Sequence, residues 1–251
     1  MGTVTLQDIF HDAYPHEQSH PLPAHVRQTA RAIMQCRTAA LGGHIQACPD
    51  GHISRVWYNS WRHRSCPQCA YLQTERWLPL QQARLLACDH SHVLFTLPHD
   101  LNPLWLANVP VMSALLFQAV RETLFDLLGD PQYLGAQPGM IAALHTWSQT
   151  FVLHPHLHCL VTGGGRTPAG QWVAVRHGFL LPAQVVMAVF RGKMLAAIRQ
   201  AWARGALVLP DGLRPQQLMH LLTRLVAWDG ACVTCTYRAR HEEADGGRAS
   251  P

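Results

Sequence analysis

The stretch LHPHLHCLV, residues 153–161, places His154, His156 and His158 at every second position of an otherwise apolar run. In an extended strand alternate side chains share a face, so the three imidazoles point one way and Leu153, Pro155, Leu157 and Cys159 the other. Neighbouring residues on one strand face lie about 6.6 Å apart, and an imidazole nitrogen reaches a metal at about 2.0–2.1 Å. Two such histidines can close on one divalent ion: His156-Leu157-His158 meets that need, and His154-Pro155-His156 meets it if proline counts as apolar. A third ligand has to come from the neighbouring strand, where His145 and Gln149 in LHTWSQTF share parity. Residues 131–210 contain no Asp or Glu. Chemistry that needs carboxylates at the reacting centre, two-metal phosphoryl transfer or paired-carboxylate glycoside hydrolysis, is therefore excluded there. A cation held by imidazoles and polarising a phosphate oxygen needs no carboxylate ligand.

A second set of ligands lies upstream, in CRTAALGGHIQACPDGHISRVWYNSWRHRSCPQC. Cys66 and Cys69 form a CPQC knuckle that can bring two thiolates to one Zn²⁺ at about 2.3 Å. Cys48 and His52 form a second pair, with Cys36 twelve residues before Cys48, and His44 and His63 in reserve. The chemistry expected is structural zinc, because a turn-rich stretch of this size has too little apolar surface to fold without a metal. Cys88 and Cys159 read as core thiols, and Cys232 and Cys235 stay unassigned.

The partner implied by charge is anionic. Between His25 and Cys88 eight arginines face two acids, Asp50 and Glu75, which puts nucleic acid first among partners. The opening MGTVTLQDIFHDAYPHEQSH is polar and broken, unlike a secretion signal, and no apolar run approaches a membrane span. The chain therefore reads as cytoplasmic and its eight cysteines as ligands or core thiols rather than disulfides.

These residues need elements to hold them. Residues 24–41 have helical spacing ending at Gly42-Gly43, and residues 70–88 again, with Pro79 as a break. SHVLFTLP (91–98) reads as a buried strand, 109–128 as a helix, and 139–151 and 153–165 as two strands joined by a tight turn. GGGRTPAG reads as a hairpin turn, QWVAV as another strand, and 182–204 as a helix opened by proline. The order predicts an α+β fold: a helical zinc-binding module, then an antiparallel sheet with helices on one face and the histidine strand at its centre. The expected divisions are a zinc- and DNA-binding domain over 1–90, a sheet domain over 91–226 and an irregular tail over 227–251.

Taken together and in order, CRTAALGGH, CPQC, HVLFTLP, GMIAALHTWSQ and HPHLHCLVTGGG resemble the rolling-circle insertion-sequence transposases that join an N-terminal zinc-binding domain to a tyrosine-HUH nuclease domain. The similarity runs from about His25 to about Leu225. It implies an HUH-nuclease-like fold in which His156 and His158 bind Mg²⁺ or Mn²⁺ and orient a phosphate of single-stranded or hairpin DNA at the element ends. A tyrosine on a later helix attacks that phosphate, leaving a 5′-phosphotyrosine link and a free 3′ hydroxyl. The zinc knuckles map onto Cys48, Cys66 and Cys69, with Cys36 also matching.

The chain departs from this pattern twice. Where the family shows Cys-x2-Cys-Gly-His it has CPDGH, so His52 takes the place of a cysteine. The tyrosine-bearing helical segment is not recognisable: Tyr237 is the only tyrosine after the histidine strand, which implies a chain cut short before the nucleophile. Two alternatives follow. One is a zinc-dependent DNA-binding remnant without catalysis. The other is a histidine-triad nucleotide hydrolase, with His156 as the nucleophile, because HPHLHCL also fits that pattern.

Overall fold

The computed structural model describes residues 4–14, 22–52, 54–62, 66–175, 180–228 and 233–235. The chain divides into two compact units, Met1–Leu85 and Leu86–Pro251.

The first unit contains α1 (Leu6–Ala13), α2 (Ala24–Gln35), the strands β1 (Gly43–Ala47) and β2 (Ser54–Tyr58), and α3 (Pro67–Gln82). Helix α2 stops six residues before the expected Leu41. Cys36 turns extended (ψ 125°), Arg37 adopts a left-handed φ of 57°, and a single 3-10 turn covers Ala39–Leu41. The stretch expected to be loop and turn holds an antiparallel hairpin, with His44 opposite Trp57 and Gln46 opposite Arg55. Every residue of both strands is exposed, so no apolar alternation announces them. Helix α3 starts at Pro67, where a missing N–H costs nothing, and ends one turn past Pro79.

The second unit is built on a five-stranded antiparallel sheet: β3 (His90–Thr96), β4 (Gln137–Trp147), β5 (Leu153–Arg166), β6 (Trp172–Ala174) and β7 (Val233–Cys235). The order is β4-β5-β3-β7, with β6 paired to the end of β5, so the histidine strand lies between two long neighbours as expected. Strand β7 falls in the segment expected to be irregular; its backbone pairs with the other edge of β3. The helices are α4 (Asn102–Ala107), α5 (Val109–Gly129), α6 (Ala183–Ala203) and α7 (Pro215–Arg224). Along α5 the buried residues Met112, Leu115, Leu116, Ala119, Val120, Leu124, Leu127 and Leu128 recur at three- and four-residue spacing, the stripe that seats a helix on a core.

Val93 and Phe95 of β3 and Leu157, Cys159 and Val161 of β5 join α5 and α6 in that core, with Phe95 meeting Phe190 edge to face at 4.9 Å. The α+β architecture with a helical layer on the sheet is therefore observed, and the even-numbered residues of β5 are left to the other face.

Gly163, Gly164 and Gly165, which the sequence allows both at the end of the 153–165 strand and in the turn, continue β5, and the turn falls at 167–171, closed by Thr167 N–H and Gln171 O at 2.8 Å and helped by Gly170 at φ 83°. The glycines serve close approach of backbone. A Cβ on Gly163 would lie 2.8 Å from the Asp89 carbonyl oxygen, on Gly164 2.6 Å from that of Val173, and on Gly165 2.7 Å from that of Gln137.

Candidate metal centres

The register of β4 against β5 sets His145 directly opposite His156 and Ala143 opposite His158. Directly paired residues share a face, so His145 joins the two β5 imidazoles there. The ring centres of His145 lie 5.3 Å from those of His156 and 4.4 Å from those of His158, and His156 and His158 are 5.0 Å apart. One nitrogen from each of the three comes within 4.8 Å of the other two, close to the span that two metal–nitrogen bonds of about 2.1 Å can bridge. His156 is buried (8% exposed), His158 half-buried and His145 exposed, so the group opens to solvent on the His145 side.

Hydrogen bonds engage one nitrogen of each β5 ring. His156 Nδ1 lies 2.6 Å from the His154 carbonyl oxygen, which can only accept, so Nδ1 carries the proton and Nε2 keeps its lone pair. His158 Nδ1 is engaged by Nε2 of His92 at 2.8 Å. Burial pushes the imidazole of His158 down to about 4, with repulsion from His145, His156 and His92 adding to it. Burial, followed by repulsion from His156, also lowers His145 and His154. These shifts keep the rings neutral near pH 7, the form a metal requires.

Gln149 is not brought to this group. Strand β4 ends at Trp147 after an irregularity between His145 and Trp147, and Gln149 is exposed in the turn that follows. His154 lies beside His156, with ring centres 5.2 Å apart, and its other neighbour is His99 at 5.1 Å. It does not belong to the three-histidine group, and its Nδ1 is buried with no hydrogen-bond partner. His92, in SHVLFTLP, is a functional-face residue that the spacing of the site histidines alone does not mark. It is a histidine on a predicted buried strand, a signal that could have marked it.

In the first unit the thiols of Cys36, Cys66 and Cys69 converge, all three buried, with Cys36 Sγ 3.3 Å from Cys69 Sγ. Cys66 caps the start of α3 and Cys69 sits one turn inside it, while Cys36 arrives as the chain leaves α2. Burial pushes the Cys36 thiol up to about 12. Burial acts the same way on Cys69, but hydrogen bonds from Cys36 and Cys66 outweigh it and the thiol is lowered overall. Cys48 and His52 stand apart from these three, in a group of their own with Asp50 in the β1–β2 turn, the sulfur 3.8 Å from His52 Nδ1. Tyr237, Cys232 and His63 lie outside the described residues. Cys159 is a core thiol, fully buried, and Cys88 is half-buried.

Two transposase families match the chain in succession. Residues 7–97 match the family described as "Transposase zinc-binding domain", and residues 139–245 the family described as "Putative transposase". The chain belongs to the rolling-circle insertion-sequence transposases. It is 41% identical over 226 residues to "Putative transposase y4qJ" of Sinorhizobium fredii, covering 88% of this chain and 56% of that one. It is 33% identical over 147 residues to the transposase for insertion sequence element IS801 of Pseudomonas savastanoi pv. phaseolicola, covering 58% of this chain and 35% of that one. The chain thus spans about half or less of the length of these relatives.

Among solved structures, the copper-bound conjugative relaxase TrwC in complex with oriT DNA matches 57% of this chain and 65% of its own. The identity is 13% and the TM-score 0.37, a likeness too slight to define the site. The zinc-binding match and the three-cysteine cluster together show a structural zinc site in the first unit. Among the described residues no helix is long and apolar enough to cross a membrane.

Proposed function

We propose that the chain acts in DNA transposition of the rolling-circle HUH type, binding single-stranded or hairpin DNA ends and nicking and joining them. The observation that carries this is the convergence of His145, His156 and His158 on one face of a sheet whose other face is core. Their free nitrogens suit Mg²⁺ or Mn²⁺, which when bound would polarise a phosphate oxygen of the DNA. The protein's own part is to hold the three rings fixed on paired strands, so that the phosphate meets a preset geometry. The arginine-rich first unit, with its zinc, grips the DNA through phosphate charge. In the cleavage step a tyrosine hydroxyl oxygen bonds to phosphorus and the 3′ oxygen leaves as a free hydroxyl, with the 5′ phosphate kept on the tyrosine. Tyr237 is the residue of this chain to test for that role.

The test is incubation with a labelled single-stranded hairpin in Mn²⁺, followed by denaturing electrophoresis for a covalent protein–DNA adduct. An adduct that disappears with His156→Ala, with Tyr237→Phe and with chelator would make Tyr237 the nucleophile, and hairpin binding without any adduct would mean that this chain lacks one. Hairpin binding that survives His156→Ala, with no nicking in any metal, would instead favour a zinc-dependent DNA-binding protein without catalysis. One observation also suits a histidine-triad hydrolase: the His156 Nδ1 bond to the His154 carbonyl frees the middle histidine's Nε2 as a nucleophile. That reading requires turnover of a small nucleotide ester in EDTA.

A further inference from the structure

The two β5 histidines both have Nδ1 engaged, but by partners of different kinds. The partner of His156 is a carbonyl oxygen, which has no proton to give. The partner of His158 is a second imidazole, His92 on β3, which reaches it diagonally because Leu94 is the residue directly opposite His158. The His92 and His158 rings are within 7° of parallel, their centres 5.0 Å apart, and their facing nitrogens 2.8 Å apart. Centres so much farther apart than the nitrogens put the rings edge to edge in nearly one plane. That is the geometry of a straight N–H···N bond rather than of face-to-face stacking.

A single N–H···N bond between two imidazoles holds one proton, and its position decides what His158 can bind. With His92 as donor, His158 keeps its own proton on Nε2 and that nitrogen has no lone pair to offer. With His158 as donor, Nε2 is free. We propose that His92 is a positioning residue, accepting the Nδ1 proton of His158 and so holding that ring in the tautomer whose Nε2 can join His145 and His156 on a divalent cation. The proposal rests on the metal reading of that trio. A metal-bound imidazole commonly donates its other nitrogen to a carboxylate or a carbonyl. Neither β3 nor residues 131–210, which include all of β4, β5 and β6, contain an Asp or Glu, so an imidazole fills the acceptor's place. In this arrangement His92 carries its own proton on Nδ1, and both β5 ligands present Nε2.

The test compares the full chain with His92→Phe, which has no acceptor, and His92→Gln, whose side-chain oxygen restores one. Nitrogen-15 NMR of the chain without added divalent cation reports which nitrogen of His158 is protonated, and a Mn²⁺ titration followed by electron paramagnetic resonance reports affinity. Unaltered protein should show His158 protonated at Nδ1. His92→Phe should shift the proton to Nε2 and weaken Mn²⁺ binding about 10- to 100-fold, and His92→Gln should recover both. An Nε2 proton in the unaltered chain overturns the proposal, as does a His92→Gln chain no better than His92→Phe. Mn²⁺ bound equally well by the unaltered and His92→Phe chains overturns the His92 role and leaves the trio standing. An unaltered chain that binds no Mn²⁺ overturns the trio and the proposal together.

Discussion

Removing one thiol, by Cys36→Ser, should unfold the first unit and spare the second. Among the described residues the buried apolar cluster of the first unit consists of Ile33, Cys36, Cys66 and Cys69, with Phe10 packed against it, so three of its four members are the thiols that converge as candidate zinc ligands. Full burial of one aliphatic side chain stabilises by about 1.5–3 kcal/mol. Ordering the backbone costs about 1–2 kcal/mol per residue, and α2, α3 and the hairpin must all be ordered around this cluster. The hairpin is exposed throughout, and so are residues 71–80 of α3, so packing there cannot offset the cost. Structural zinc contributes an apparent ~10–16 kcal/mol in small zinc-dependent folds, and that is the term at risk. Among the described residues the second unit's cluster holds 29 buried side chains, and that unit should keep its own stability.

Limited proteolysis with mass spectrometry reads this directly. Cuts should concentrate within 1–85 in Cys36→Ser and in chelator-treated protein, while 86–228 resists as before. Bound zinc should fall in both. A first unit protected to the unaltered level in zinc-free protein would refute the reasoning, because it would mean that packing alone suffices.

Three further outcomes follow from the second unit. Leu157 is fully buried between the two site histidines, and Leu157→Ala should cost about 2–5 kcal/mol in urea unfolding; a loss under 1 kcal/mol would place its side chain outside the core. Gly165→Ala puts a methyl group 2.7 Å from the Gln137 carbonyl oxygen, backbone against backbone, so β4 and β5 must part there. The cost should be about 1–3 kcal/mol, with faster amide exchange at the start of β4, and unchanged exchange would count against it. For His158, the folded protein holds the imidazole down to about 4, against 6.5 when unperturbed. Between those values the unfolded chain takes up a proton that the folded one refuses, so stability is complete above 6.5, falls as pH drops towards 4, and is flat below. Unfolding midpoints of metal-free protein across that range should show a slope that His158→Gln reduces; an equal slope in both would remove His158 as its source.

What could be read from the chain, and what could not, divides at the range of the interaction. The alternation in LHPHLHCLV is local, and it holds in β5 because a strand keeps its period of two whatever it pairs with. The CPQC knuckle is local in the same sense, one turn of α3. Gln149 shared parity with His145, yet parity lasts only as long as the strand, and β4 stops at Trp147. Cys48 and His52 looked equivalent to Cys66 and Cys69 by spacing, but the hairpin that carries them at its turn has no buried face, so nothing in its pattern showed where that turn would lie. The three glycines at 163–165 have the composition of a turn, and only the closeness of Asp89, Gln137 and Val173 explains them as strand. The place of His145 and the partner of His158 depend on the same quantity. His145 faces His156 and His92 reaches His158 because of how β4 and β3 register on β5, and sliding either strand by one residue would turn its histidine to the core. Register is set by the whole buried face, by Val93 and Phe95 on β3 and Leu157, Cys159 and Val161 on β5, so the chemistry of the exposed face is decided by the packing of the hidden one.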